Sequence, residues 1–211
     1  MATSPLKILV TGGAGYIGSH TVRQLLAAGH QVTVVDNLYS GHRWAVPPTA
    51  DFHQLDAGDE TAMSSLLRRQ RTDAVIHFAG HIVVPESIAE PAKYYRNNVV
   101  ASLNLIRACC ASGVGYFIFS SSAAVYGDPK QVPVAEHHPT IPINPYGRTK
   151  LITEWTLRDM ALGGRQGNTG LKYVALRYFN VAGASLDGTL GQATPEADRK
   201  STRLNSSHAL I

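Results

Sequence analysis

The stretch Thr11–Gly18, T-G-G-A-G-Y-I-G, constrains this chain more than any other. It follows an apolar run, Lys7–Val10, that reads as a strand, and opens an amphipathic run, Tyr16–Ala28, that reads as a helix closed by Gly29. The glycines satisfy G-x-G-x-x-G (Gly13, Gly15, Gly18) and G-x-x-G-x-x-G (Gly12, Gly15, Gly18) together. Such a turn lets backbone approach a pyrophosphate and lets helix pack closely on strand, while the helix N-terminus offers amides and a positive dipole end to the phosphates. A glycine pattern alone is weak evidence. A carboxylate ending the next strand makes it strong, and Asp36 ends Gln31–Val35. A carboxylate there accepts from ribose hydroxyls and repels a 2′-phosphate, which favours NAD over NADP.

The alternation continues. Asp51–Leu55 reads as a third, edge-like strand, Glu60–Arg69 as a helix, Asp73–Phe78 as a strand and Pro91–Ser112 as a long helix. Tyr116–Ser120 reads as a strand, Tyr146–Met160 as a helix and Lys172–Arg177 as a strand. Strands that are apolar almost throughout, separated by helices, argue for a parallel sheet covered on both faces. The expected fold class is α/β, a doubly wound parallel sheet, and 211 residues suffice for one such domain and part of a second.

Composition removes several alternatives. A net charge of +4 invites a nucleic-acid reading, yet Arg199, Lys200 and Arg203 against Asp198 place +2 of it on the last stretch. No basic stripe remains elsewhere, so no nucleic-acid partner is expected. The only cysteines, Cys109 and Cys110, are adjacent in an apolar run and offer neither a disulfide framework nor metal spacing. Nine histidines include no H-E-x-x-H, so no metal is expected. With no signal-peptide core and no run of about 18 apolar residues, the expectation is a cytoplasmic protein away from membranes.

A second constellation lies further along. Ser120–Gly127, S-S-S-A-A-V-Y-G, stands at the carboxyl end of an apolar strand, the edge where open α/β sheets bind ligands. Asn144–Lys150, N-P-Y-G-R-T-K, places Tyr146 and Lys150 one above the other on a helix face. As an isolated pair these read as a surface contact; beside the serines they read as a base and its partner. A tyrosine acting as a base near pH 7 needs its pKa lowered by roughly three, about 4 kcal/mol. Lys150 and the positive nicotinamide of NAD are the charges expected to supply it. Asp56, closing the third strand in F-H-Q-L-D-A-G, reads either as an adenine contact or as a turn or cap aspartate.

Together T-G-G-A-G-Y-I-G-S-H, V-V-D-N-L, A-V-I-H-F-A-G, Y-Y-R-N-N-V, F-I-F-S-S-S-A-A-V-Y-G, N-P-Y-G-R-T-K and L-R-Y-F-N resemble the extended short-chain dehydrogenase/reductase superfamily, closest to its nucleotide-sugar 4-epimerases, over roughly Leu6 to Ala197. The resemblance implies a Rossmann-type domain that interconverts UDP-glucose and UDP-galactose through a transient 4-keto sugar, with NAD tightly bound and regenerated each turnover. It implies that Gly12, Gly15, Tyr16, Ile17 and Gly18 lie under the pyrophosphate, and that Asp36, Asn37, Leu38 and Ser40 hold the adenosine ribose. Asp56 and Ala57 would meet the adenine, and Phe78, Ala79, Gly80 and Asn97 would line the inner half of the cofactor site. Ser122 would bind the sugar's 4-hydroxyl, Tyr146 would be the base and Lys150 its partner, all three also touching the cofactor. Phe179, on the cofactor, and Asn180 would begin the substrate contacts. A homodimer through Tyr94–Ser112 and Tyr146–Met160 is implied as well.

The chain departs from the family pattern at Ile82, where many members have lysine, and in F-N-V-A-G, where many have F-N-P-x-G. Family members are also longer, so the C-terminal substrate lobe is expected to be largely missing. The division expected is 1–180 as the NAD-binding domain with Ser122, Tyr146 and Lys150, 181–197 as the start of the substrate-binding region, and 198–211 as a non-native tail. The final D-R-K-S-T-R-L-N-S-S-H lacks periodicity and resembles the translation of a sequencing adapter. Two rivals stay open: another NAD-dependent nucleotide-sugar enzyme, such as a dehydratase, and an inactive NAD-binding fragment. The first is disfavoured by Ala123 and Ala124, which stand where a dehydratase needs an Asp-Glu pair.

Overall fold

The computed structural model describes residues 4–163 and 170–193. The tail expected to be non-native from Asp198 lies outside the described residues. Six parallel strands form one sheet: β1 (Lys7–Thr11), β2 (Gln31–Val35), β3 (Asp51–His53), β4 (Ala74–His77), β5 (Tyr116–Ser120) and β6 (Lys172–Leu176), in the spatial order β3-β2-β1-β4-β5-β6. The strand order reverses between β1 and β4, whose register pairs Ile8 with Ala74 and Thr11 with His77. A crevice therefore opens beyond the carboxyl ends of these two strands, which places ligand binding there.

Burial on both faces explains the apolar strands. Leu9, Val75, Phe117 and Phe119 face one layer with Met63, Leu66 and Leu67 of α2 (Glu60–Gln70), Leu105 and Ile106 of α5 (Ala101–Ser112) and Leu157 of α6 (Pro145–Leu162). Ile8, Val10, Val32, Val34 and Ile76 face the other with Val22 of α1 (Tyr16–Ala27). Each fully buried side chain of this kind contributes roughly 1.5–3 kcal/mol. The edge strand β6 is different, alternating exposed and half-buried residues.

Several elements depart from the sequence reading, among them β3, which ends at His53 rather than Leu55, and a 3-10 turn at Arg43–Ala45. The stretch Pro91–Ser112 is not one α-helix: α4 (Pro91–Tyr94) passes into a π-helical segment, Tyr95–Val100, before α5. The ladder shifts where the Asn98 carbonyl accepts the hydroxyls of Ser102 (2.5 Å) and Thr153 (3.3 Å). A six-residue helix α3 (Val84–Ala89) is too short to leave a periodic signal. A 3-10 turn, Ala123–Tyr126, follows β5 and is capped by Ser122, whose hydroxyl accepts from the Ala124 amide at 3.1 Å.

Candidate functional site

The glycine loop joins β1 to α1 with almost no free space. Gly12 has φ +69°, and a Cβ there would stand 2.6 Å from the Ala79 nitrogen. At Gly18 a Cβ would stand 2.1 Å from the Gly12 carbonyl oxygen, so these two glycines set how closely α1 approaches β1. Gly15 is the N-cap of α1, no side chain caps the helix, and its first turn has no acidic residue. The positive end of its dipole is thus left for an anion. Tyr16 and Ile17 form that first turn.

Asp36 is buried at the end of β2 and fixes the next loop. Its carboxylate accepts from the Ala14 amide at 3.0 Å and the Leu38 amide at 2.8 Å. Leu38 takes φ +61°, and the Asn37 side chain accepts from the Tyr39 amide at 3.0 Å. These Asx bonds shape the exposed turn that carries Asn37 and Ser40. Asp56 is exposed and accepts from the Gly58 amide at 2.7 Å, which shapes the turn with Ala57 between them, and the cap of α2 is Asp59.

Phe78, Ala79 and Gly80 follow β4 on the other side of the crevice. The residue that holds them is Asn98, buried beside the expected Asn97. Its Oδ1 accepts from the His81 amide (2.8 Å) and from Asn97 Nδ2 (3.1 Å), while its Nδ2 donates to the His81 carbonyl (2.9 Å) and to Thr149 Oγ1 (3.2 Å). Ile82, at the position where many family members have lysine, is 64% exposed.

The second constellation assembles as its spacing suggests. Asn144 caps α6 through its side chain, which accepts from the Gly147 amide at 2.8 Å, and Pro145 opens the first turn. Tyr146 thereby sits at the helix start, where its phenol shares a hydrogen bond with the Ser122 hydroxyl. One turn on, Lys150 is buried, donates to the Ser120 carbonyl at 2.8 Å and lies 5.8 Å from the Tyr146 ring centroid. The expectation that Lys150 lowers the Tyr146 pKa needs correcting for this arrangement. Burial pushes the phenol up, the Ser122 bond pulls it down, and Tyr178 raises it. Lys150 is instead spent on Ser120 and the face of Phe119, 4.9 Å from that ring centroid.

Burial also lowers the Lys150 pKa from 10.5 to about 8. Below about pH 8 the ammonium is charged in the folded and unfolded states, so its burial penalty is fully present; between there and 10.5 the unfolded chain binds more protons and the penalty fades. Lys150→Met is therefore expected to raise the melting temperature at pH 7, by a stability gain on the order of 2 kcal/mol after loss of the Ser120 bond. Thermal melts should show that gain shrinking towards pH 10. A variant less stable than the parent at pH 7 would contradict it.

Besides Asn98, sequence reasoning missed two further buried polar groups that brace the site. His77 bonds Thr11 Oγ1 (2.7 Å) and Ser102 Oγ (2.9 Å), and burial holds it neutral, with its pKa lowered to about 3. Glu154 pairs with Arg177, whose Nε lies 2.9 Å from Oε1 and 3.1 Å from Oε2. Phe179 and Asn180 are exposed just after β6, the edge strand of the sheet. The segment that follows crosses back to that loop: Tyr16 donates to the Gly183 carbonyl (2.5 Å), Arg23 to Thr189 Oγ1 (2.5 Å), and His42 contacts the Ala193 carbonyl (3.1 Å). Between Gly15, Tyr16, Ser40, His42 and Gly191 it leaves a cavity of about 20 Å³. A larger one, about 260 Å³, lies at the opposite end of the strands among Lys7, His30, Gln31 and Asp51, far from these groups.

Among the described residues, no group of His, Cys, Asp and Glu is placed to hold a metal, and no helix is long and apolar enough to cross a membrane. The residues do fit a dinucleotide: glycines allow a tight turn between β1 and α1 where a Cβ would collide, a helix start faces the loop uncapped, and a buried carboxylate ends β2.

Known proteins resemble this chain in sequence and in fold. The UDP-glucose 4-epimerase of Lactobacillus helveticus is 52% identical over 187 residues, which is 89% of this chain and 55% of that protein. That of Azospirillum brasilense is 50% identical over 196 residues, 93% of this chain and 55% of its own. The crystal structure of UDP-glucose 4-epimerase from Brucella ovis in complex with NAD superposes with a TM-score of 0.85 at 46% identity, covering 90% of this chain and 56% of that one. The chain thus spans about half the length of the relatives it matches. The NAD dependent epimerase/dehydratase family model matches residues 8–205, running past Ala197 into the stretch expected to be non-native. With a match across almost the whole chain and relatives half identical to it, the chain belongs to the NAD dependent epimerase/dehydratase family.

Proposed function

We propose that this chain is the NAD-binding and proton-transfer part of a UDP-glucose 4-epimerase, which inverts C4 of UDP-glucose and UDP-galactose. The observation that carries the reading is the Tyr146 phenol, hydrogen-bonded to Ser122 with Lys150 one helical turn away, on the sheet edge that also holds the glycine loop. Bound NAD supplies the hydride acceptor for the sugar's C4 and a positive ring that favours a phenolate nearby.

The chain's own residues do the rest. Gly12–Gly18 cradle the pyrophosphate, Asp36 takes the adenosine ribose, and Asp56 and Ala57 border the adenine. Phe78, Ala79, Gly80 and Asn97 line the inner half of the site. Ser122 orients the 4-hydroxyl and stabilises the ionised phenol, and Tyr146 accepts the hydroxyl proton as general base. Lys150 holds positive charge beside that base, and Phe179 and Asn180 begin the grip on the nucleotide-sugar. Binding energy from such remote contacts positions the reacting carbon. A homodimer and a cytoplasmic setting accompany this reading; Val100 and Trp155, half exposed beside α5 and on α6, support the former. The direct test is interconversion of UDP-glucose and UDP-galactose by a protein of the full length seen in the relatives; no interconversion refutes the assignment.

Cofactor choice gives a separate check. Asp36 already accepts two backbone amides, and its charge opposes a 2′-phosphate. NAD is expected to bind at least tenfold more tightly than NADP, and Asp36→Asn to narrow that ratio, although its single carbonyl oxygen can keep only one of the two loop bonds. Equal affinity of the unmodified protein for both dinucleotides, measured by calorimetry, would refute it.

A further inference from the structure

Glu154 stands on α6 eight residues after Tyr146 and four after Lys150, so one helix face presents all three. It is buried and fully engaged. Its Oε1 accepts from Ser121 Oγ at 2.5 Å and from Arg177 Nε at 2.9 Å, and its Oε2 from Arg177 Nη2 at 2.5 Å. Arg177 continues the junction, donating from Nη1 to the Tyr126 hydroxyl (2.8 Å) and the Glu136 carbonyl (3.3 Å), with its guanidinium 5.0 Å from the Tyr126 ring centroid. Helix α6, the chain just after β5, the turn Ala123–Tyr126 and the chain just after β6 therefore meet at one carboxylate–guanidinium pair. Apolar residues of similar volume commonly stabilise such a junction as well or better, so an ion pair here is weakly explained by stability alone. What a bidentate pair adds is fixed geometry. The residue it fixes, Ser121, is the neighbour of Ser122.

We propose that Glu154 is a positioning residue: by holding Ser121 and Arg177 it locks the end of β5 against α6, and so fixes Ser122 on the Tyr146 phenol. The role rests on Tyr146 being the base, as proposed above. The titratable groups beside that phenol are Tyr178, from the chain after β6, and Lys150, from α6 itself. Neither bonds Glu154 among the described residues; both bond Ser120 instead, and the route from the junction to the phenol runs from Ser121 to its neighbour Ser122. The Ser122 bond is what pulls the phenol down against burial, and its loss moves the titration up.

The test uses the full-length protein loaded with NAD and two variants, Glu154→Gln and Ser121→Ala. The second leaves the Glu154–Arg177 pair intact and guards against a simple folding failure. Tyr146 is titrated by its phenolate absorbance, with Tyr146→Phe as the subtraction, and kcat and KM are measured across pH. Both variants are expected to move the Tyr146 titration and the alkaline rise of kcat upward by about one pH unit, with kcat at pH 7 about tenfold lower and KM within about twofold. Ser121→Thr, which keeps the hydroxyl, should restore both. An unmoved Tyr146 titration in folded Glu154→Gln and Ser121→Ala protein overturns the proposal, whatever happens to the melting temperature. If the unmodified protein epimerises nothing while the titration still moves, the positioning role stands and the assigned reaction falls.

Discussion

Tyr146→Phe is expected to leave the fold and NAD binding in place while lowering epimerase turnover at least 100-fold, the loss typical of removing a general base. The side chain is partly buried at the start of α6 and keeps its ring packing in the variant; only the hydroxyl shared with Ser122 goes. Burial raises the phenol's pKa in the protein alone, so the ionised form needs help that the unloaded site does not give. Turnover of the parent should therefore rise with pH on its acid side. Near-normal turnover in the phenylalanine variant, measured in the full-length protein, would remove Tyr146 from the mechanism.

Gly18→Val is expected to weaken NAD binding by roughly tenfold to hundredfold, in line with the 1–3 kcal/mol of strain from overpacking. The first added carbon would lie 2.1 Å from the Gly12 carbonyl oxygen, and that atom is backbone with nowhere to yield. Relief requires α1 to lift from β1, which spoils the loop that meets the pyrophosphate. Gly115→Ala is the control, because a Cβ there meets only the Asp73 carbonyl at 3.6 Å. Calorimetry on both variants separates the close approach from any general intolerance of change at glycine. Unchanged affinity in Gly18→Val would show that the loop does not carry the cofactor.

What the sequence displayed and what it hid follow from the range of the interactions. The glycine loop, Asp36 and the Tyr146–Lys150 pair lie within short stretches whose chemistry is tied to one turn or one helical repeat, so pattern alone exposed them. The alternating strands and helices were legible for the same reason, with Gln31–Val35 and Tyr116–Ser120 bounded as read. The bracing contacts were not. His77 meets Thr11 from 66 residues away, Asn98 meets Thr149 from 51, and Glu154 meets Arg177 from 23. Each looks like an ordinary polar residue until the sheet brings its partner beside it. The π-helical segment was hidden because hydroxyls from Ser102 and Thr153 converge on one carbonyl. Lys150 was found by spacing, but its partner, the Ser120 carbonyl, is set by tertiary packing.

The claim that C4 is inverted by hydride removal and return within one site is tested most directly by isotope retention. UDP-galactose carrying deuterium at C4 is incubated with the NAD-loaded, full-length protein in ordinary water, and the UDP-glucose formed is examined by mass spectrometry and NMR. The account predicts that the deuterium stays on C4 of the product, that none is exchanged for solvent hydrogen, and that no reduced cofactor accumulates. Loss of the label to water, or stoichiometric build-up of NADH, would contradict it.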